Sequence, residues 1–175
     1  ATRFERAVTN ALLGRADLSI VLAETLRDDA DRLRGRRVMV VPNGIADPGP
    51  PQQITAESGR ILFLGLGSEE KGLFAAAAAV LEVNRRNTAE GSAPTLVLTA
   101  AGPFDGEAAT ARFRLLAEQH PAALIHAGVV DDAEKKRLFA ECHVLCLPTH
   151  YAAEASPLVL LEALAHDRPI VATRW

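Results

Sequence analysis

Two carboxylates, Glu154 and Glu162, stand eight residues apart in the stretch HYAAEASPLVLLEALAHDRPIVAT. With a helix starting near Ser156, Glu154 falls in the loop that enters the helix and Glu162 lies about two turns along it. Where such a loop follows the carboxyl end of a parallel strand, ligands gather outside the sheet. The helix N-terminus there has unpaired N–H groups and partial positive charge, which suit phosphate. Carboxylates beside it cannot help hold a diphosphate, but they accept hydrogen bonds from sugar hydroxyls. On spacing alone, a solvated helix acid and a loop acid explain the pair more simply. The neighbours shift the balance. Leu158, Val159, Leu160 and Leu161 lead into Glu162, so the helix is expected to be buried and its acid to need a partner.

The other reactive residue types give less. Cys142 and Cys146 are too far apart for a C-x-x-C pair and lie among apolar neighbours, which points to structural thiols. The five histidines show no H-E-x-x-H spacing, so neither a protein-bound metal nor a cofactor is expected. His150 reads as a loop-packing or surface residue, and His166 as a charge placed at a helix C-terminus. GLGSEEKG misses G-x-G-x-x-G because its third glycine comes two positions late. It misses the phosphate-loop pattern because Leu73 follows Gly72. GPFDG, from Gly102 to Gly106, reads as a turn at a strand end.

These residues must be positioned by elements, and the chain alternates two kinds. Apolar runs occur at Arg60–Gly65, Thr95–Ala101, Ala123–Gly128, His143–Pro148 and Pro169–Trp175. Segments of helical periodicity lie between them, at about Gly72–Asn87, Glu107–His120, Asp132–Glu141 and Ser156–His166. Runs apolar on consecutive residues are buried on both faces. Strands alternating with helices imply a doubly wound, Rossmann-like parallel sheet with helices on both faces. Asp131 followed by Glu134 forms a capping-box-like start, and Pro157 suits a first helical turn. The same grammar appears earlier, with helices at Phe4–Leu13 and Glu24–Arg34 and strands at Leu18–Ala23 and Val38–Pro42. The Pro/Gly-rich NGIADPGPPQQ between the two parts reads as a linker. The expected division is therefore 1–44, a remnant of one α/β domain; 45–58, a linker; and 59–175, a second domain cut at its end.

Composition sets the outer limits. The chain has 175 residues, 49% hydrophobic and 23% charged, which is globular. With 19 basic against 22 acidic residues, it carries no nucleic-acid footprint. No apolar run approaches the ~20 residues of a membrane span, and Thr2–Arg6 do not open a secretory signal. The chain begins at Ala1 without methionine and ends at Trp175 directly after a strand-like run, so a longer protein is expected around it.

Four motifs in order resemble glycosyltransferase family 4, retaining enzymes of the GT-B fold built from two Rossmann-like halves. VMVVPNGI resembles the family's strand ending in P-N-G. FLGLGSEEKG resembles its G-R-L-S-x-E-K-G, TAAGPF its A-G-x-G-P region, and EASPLVLLEA its E-G-F-G-L-V-L-L-E-A. The resemblance implies the nucleotide-sugar-binding half of such an enzyme plus part of the acceptor half. It implies that Glu154 touches the donor sugar and is the catalytic position, while Glu162 holds the nucleotide ribose. Lys71 would face the diphosphate, and Val129 and Val130 the base. Gly65, Ala155, Ser156 and Leu158 complete the implied donor-binding set. The family's arginine falls on Leu66, and its motif glycines and phenylalanine on Ala155, Ser156 and Pro157, so one diphosphate contact and one N–H are missing.

The implied activity is hexosyl transfer from a nucleoside-diphosphate sugar to a hydroxyl of a saccharide or lipid-linked acceptor. The chain alone is expected to bind a nucleoside diphosphate weakly and to turn over nothing. The implied location is cytoplasmic, with any contact to the inner face of a membrane made by the missing domain. Two other readings rank lower. A receiver-type binding module would need aspartates at the ends of the first and third strands, which are absent. A nucleotide-sugar epimerase half would need catalytic acids or histidines in the cleft.

Overall fold

The computed structural model describes residues 7–9, 11–12, 16–32, 36–50, 54, 59–91 and 96–174. Contacts divide the chain into two compact units, Ala1–Ile45 with Ala155–Leu158, and Ala46–Glu154 with Val159–Trp175.

In the first unit, β1 (Ser19–Val21) and β2 (Val38–Val40) pair in parallel, Ser19 opposite Val38 and Val21 opposite Val40. A 3₁₀ turn (Glu24–Leu26) and α1 (Arg27–Arg32) make the crossover, with Ala30 buried. The helix expected over Glu24–Arg34 thus opens as a tighter turn, and its last residues, 33–34, lie outside the described residues. Residues 7–9 and 11–12 are helical; the rest of the helix expected at Phe4–Leu13 also lies outside them. So do 51–53 and 55–58 of the expected linker, and the strand ends Thr95 and Trp175.

The second unit holds a five-stranded parallel sheet: β3 (Arg60–Leu64), β4 (Val97–Ala101), β5 (Leu124–Gly128), β6 (Val144–Leu147) and β7 (Ile170–Ala172). Its order is β5-β4-β3-β6-β7. Between the strands run α2 (Leu73–Ala89), α3 (Gly106–Gln119), α4 (Asp132–Glu141) and α5 (Leu158–Ala165). Two apolar clusters show why the strands are apolar on consecutive residues. Phe63 packs with Leu73, Ala77, Val80 and Phe113, from α2 and α3. Its neighbours Leu62 and Leu64 pack with Leu138, Phe139 and Ala163, from α4 and α5. Alternate side chains of one strand therefore serve opposite layers. The sheet is doubly wound and Rossmann-like, as expected. The chain moves from β3 outward to β5, then returns to place β6 on the other side of β3. The reversal creates a switch point between β3 and β6, where folds of this kind take ligands at the strands' carboxyl ends.

Local chemistry sets the helix starts. The Asp131 carboxylate accepts the Glu134 N–H (2.8 Å) and caps α4. Helix α5 begins at Leu158, two residues later than expected. Pro157 disfavours helical backbone at Ser156, and it stands itself just before the first helical residue. Glu162 is consequently the fifth helical residue, about one turn in. This helix is also less buried than its sequence suggests: Leu158 is 46% and Leu164 61% exposed, while Ala163 is fully covered.

Candidate functional site

The loops that leave β3 and β6 meet at the switch point and are joined through backbone. Gly72, with φ of 82°, sits so close to the second loop that a Cβ there would lie 2.2 Å from the Pro148 carbonyl oxygen. Only glycine combines that conformation with that approach. The His150 N–H donates to the Glu70 carbonyl (2.8 Å). Buried Ser68 accepts the Lys71 N–H on its hydroxyl (3.1 Å), which fixes the turn presenting the lysine.

From this frame the Lys71 ammonium reaches Glu154, Nζ to Oε2 at 2.5 Å. The two side chains are 20% and 13% exposed, so the pair is largely removed from water and screened less than a surface pair. The ammonium also lies 4.8 Å from the centre of the Tyr151 ring, a cation–π contact. Buried Thr149 accepts the Tyr151 N–H (3.2 Å), and its hydroxyl lies 3.4 Å from both the Glu70 carbonyl and the Glu154 carboxylate. The Glu154 N–H closes a turn onto the Tyr151 carbonyl (2.9 Å). A cation and an anion are thus poised side by side, each able to exchange its partner for a ligand group of the opposite kind.

Glu162 has a different partner. Lys135, in the first turn of α4, donates to Glu162 Oε1 at 2.8 Å and stands 3.4 Å from Asp132. The Glu162 hydrogen bond holds the Lys135 ammonium above its ordinary pKa, against the opposing effect of burial. The sequence reading required a partner for this acid without naming one. Nothing in the spacing marks Lys135, because the pair is 27 residues apart and depends on α4 and α5 lying on one face of the sheet.

The other expected positions are dispersed. Gly65 directly follows β3 and spends its N–H on the Ala101 carbonyl (3.0 Å). A Cβ on Gly102 would lie 2.2 Å from the Gly65 oxygen, so these two strand ends also touch through backbone. Val129 is 78% exposed beyond β5, and Val130 packs against the α4–α5 cluster. β5 lies two strands from β3, about 10 Å away. Ala155, Ser156 and Leu158 group with the first unit, where the Asn43 side-chain amide donates to the Ser156 carbonyl (2.9 Å). Among the described residues, the Ala155 and Ser156 N–H groups make no backbone hydrogen bond.

His166 does not act as a helix-end charge. It stacks on Phe139 with ring centres 4.9 Å apart, and burial followed by the Arg168 charge pulls its pKa down. The buried Cys142 thiol is pushed up to about 11 by burial, which makes it inert, as a structural thiol should be. Among the described residues, no three His, Cys, Asp or Glu side chains cluster as metal ligands. No helix among them is long and apolar enough to cross a membrane. A groove of about 640 Å³, lined by Leu81, Asn84, Thr88, His120 and Pro121, sits at the strands' amino ends, away from both glutamates.

A doubly wound parallel sheet with a topological switch point defines a Rossmann-like α/β domain. Residues 58–175 match glycosyl transferases group 1, and the chain belongs to that family. No curated protein matches the chain. Among solved structures it is similar to a TarM variant of S. aureus in complex with fondaparinux, alpha-GlcNAc-glycerol and UDP. That match has 14% identity and a TM-score of 0.75 over 98% of this chain and 33% of that one. It is also similar to sucrose-phosphate synthase of Thermosynechococcus elongatus, with 20% identity and a TM-score of 0.75 over 98% and 44%. The pneumococcal O-GlcNAc transferase GtfA, in complex with UDP and GlcNAc, is similar at 16% identity and a TM-score of 0.65 over 97% and 32%. The chain therefore spans less than half the length of each of these proteins.

Proposed function

We propose that this chain is the donor-binding part of a retaining glycosyltransferase of family 4, of hexosyltransferase type, and that its ligand is a nucleoside-diphosphate sugar. The observation that carries the reading is the Lys71–Glu154 pair held between the β3 and β6 loops at the switch point. On binding, Lys71 turns to the diphosphate as a compact positive charge. Glu154 accepts hydrogen bonds from the sugar hydroxyls, Glu162 those of the ribose, and the backbone at Val129 and Val130 lies against the base. In transfer, the bond from the anomeric carbon to the diphosphate breaks, a bond to the acceptor hydroxyl oxygen forms on the same face of the sugar, and that hydroxyl's proton leaves with the diphosphate. Lys71 stabilises the charge that gathers on the departing diphosphate.

In this reading residues 59–175 form the donor domain, 45–58 a linker and 1–44 part of the acceptor-side domain, with the acceptor a saccharide or a lipid-linked sugar. The UDP complexes of the TarM variant and GtfA support a nucleotide ligand for this fold. Calorimetric or NMR titration with uridine and guanosine diphosphates, with and without sugar, is the direct test. Binding of one of them is the expected result, with no transfer by the chain alone. Failure of every such nucleotide to bind refutes the reading.

A further inference from the structure

Both glutamates of the motif are held by lysines, in a chain with three lysines and 16 arginines. Elsewhere arginine is the usual partner: Arg112 meets Glu69 and Arg36 meets Asp17 at one oxygen, but three other pairs are forked. Arg27 spans both oxygens of Glu24, Arg85 both of Glu82, and Arg137 both of Glu134. A guanidinium is a planar fork that can occupy both carboxylate oxygens, whereas an ammonium is a point donor. Lys135 takes Oε1 of Glu162, and among the described residues Oε2 has no hydrogen-bond partner. The two side chains are 30% and 22% exposed, on helices α4 and α5 that lie on one face of the sheet. Lys135 is the fourth of ten residues in α4, and Glu162 the fifth of eight in α5, at the middle of its helix.

We propose that Lys135 is a positioning residue: its single hydrogen bond fixes the Glu162 carboxylate in one orientation and leaves the second oxygen for the vicinal hydroxyls of a ribose. This role rests on the donor reading above. It differs from a simple helix-to-helix ion pair in one respect, because it requires lysine to act only on ligands that carry those hydroxyls.

The test compares two ligands and two variants of the full chain. The ligands are uridine or guanosine diphosphate, whichever binds, and its 2′,3′-dideoxy analogue. The variants are Lys135→Met and Lys135→Arg, with affinities measured by calorimetry and folding followed by thermal melts. The unsubstituted chain is expected to prefer the ribose form by about tenfold or more, the worth of a hydrogen bond to a charged group. Lys135→Met loses most of that preference while its affinity for the dideoxy analogue stays unchanged. Lys135→Arg keeps the thermal midpoint yet also loses the preference, because the fork covers both oxygens. Equal weakening toward both ligands, or an undiminished preference in Lys135→Met, overturns the positioning role and leaves the donor reading standing. Full preference in Lys135→Arg overturns the argument from the free oxygen. If the unsubstituted chain binds neither diphosphate, the donor reading falls and takes this role with it.

Discussion

The Lys71–Glu154 pair makes opposite demands on stability and on binding, and two substitutions separate them. Lys71→Met removes the cation and leaves the Glu154 carboxylate, 13% exposed, beside Thr149 and Tyr151. Exposed pairs contribute about 0–1 kcal/mol, and breaking buried ones costs about 3–5 kcal/mol. At this partial burial the cost should be about 2 kcal/mol, lowering the thermal midpoint by roughly 4–8 °C in a domain of this size. Adding Glu154→Gln should restore most of the loss, because the stranded charge is gone. Binding behaves differently. Lys71→Met removes a charge-assisted contact to the diphosphate, about 1.5–3 kcal/mol, or roughly ten- to 150-fold in affinity. Glu154→Gln alone frees the lysine and removes a like charge from beside the phosphates. A nucleoside diphosphate without sugar should then bind about fivefold tighter, while the nucleotide sugar gains less because it loses a hydroxyl contact. Calorimetry with both ligands on the three variants reads all of this at once. The reasoning is refuted if Glu154→Gln weakens both ligands by the same factor, or if Lys71→Met leaves both affinities untouched.

Three further outcomes are expected. Gly72→Ala forces a Cβ to 2.2 Å from the Pro148 oxygen at a φ of 82°, and should cost about 2–3 kcal/mol, read as a lowered midpoint in a thermal melt. Leu66, 39% exposed in the β3 loop, stands at the position where the family resemblance expects arginine. Leu66→Arg should therefore tighten nucleoside diphosphate binding by about tenfold in calorimetry, and an unchanged affinity would show that the position does not face the phosphates. Burial keeps the Cys142 thiol protonated up to about pH 11 in the native chain, against an ordinary value of 9.0. Between those values the unfolded chain has lost a proton that the native chain keeps, so stability should fall as pH rises, by about 2–3 kcal/mol at the upper end. Denaturant titrations across that range should show a shallower decline for Cys142→Ala; an equal slope would discount the thiol.

The sheet was legible because its strands are covered on both sides. Residues such as Leu62, Phe63 and Leu64 must all be apolar when α2 and α3 cover one face and α4 and α5 the other. Asp131 could be read as a cap because the interaction spans three residues and needs no tertiary structure. The start of α5 was misplaced because Pro157 was credited as a first-turn residue, while it disfavours helical backbone at Ser156 and itself stands just before the helix. Long-range pairings were out of reach. Glu154 and Lys71 were each singled out, but their contact is between residues 83 apart and depends on the meeting of two loops. Lys135 looked like any lysine one turn after an acid, and Asp132 does lie beside it. Ser68, Thr149 and Tyr151 carry no signal in spacing, since their roles come from backbone turns. The stacking of His166 on Phe139 was hidden for the same reason: it joins α4 to the end of α5.

The contact between Gly72 and the Pro148 carbonyl has a consequence for anyone re-engineering ligand preference on this scaffold. With no room for even one methyl group between them, the two switch-point segments constrain each other's shape. A graft that imports the β6 loop of a relative while keeping the resident β3 loop would press foreign backbone onto Gly72. Chimeras should therefore exchange the two segments together, as one cassette.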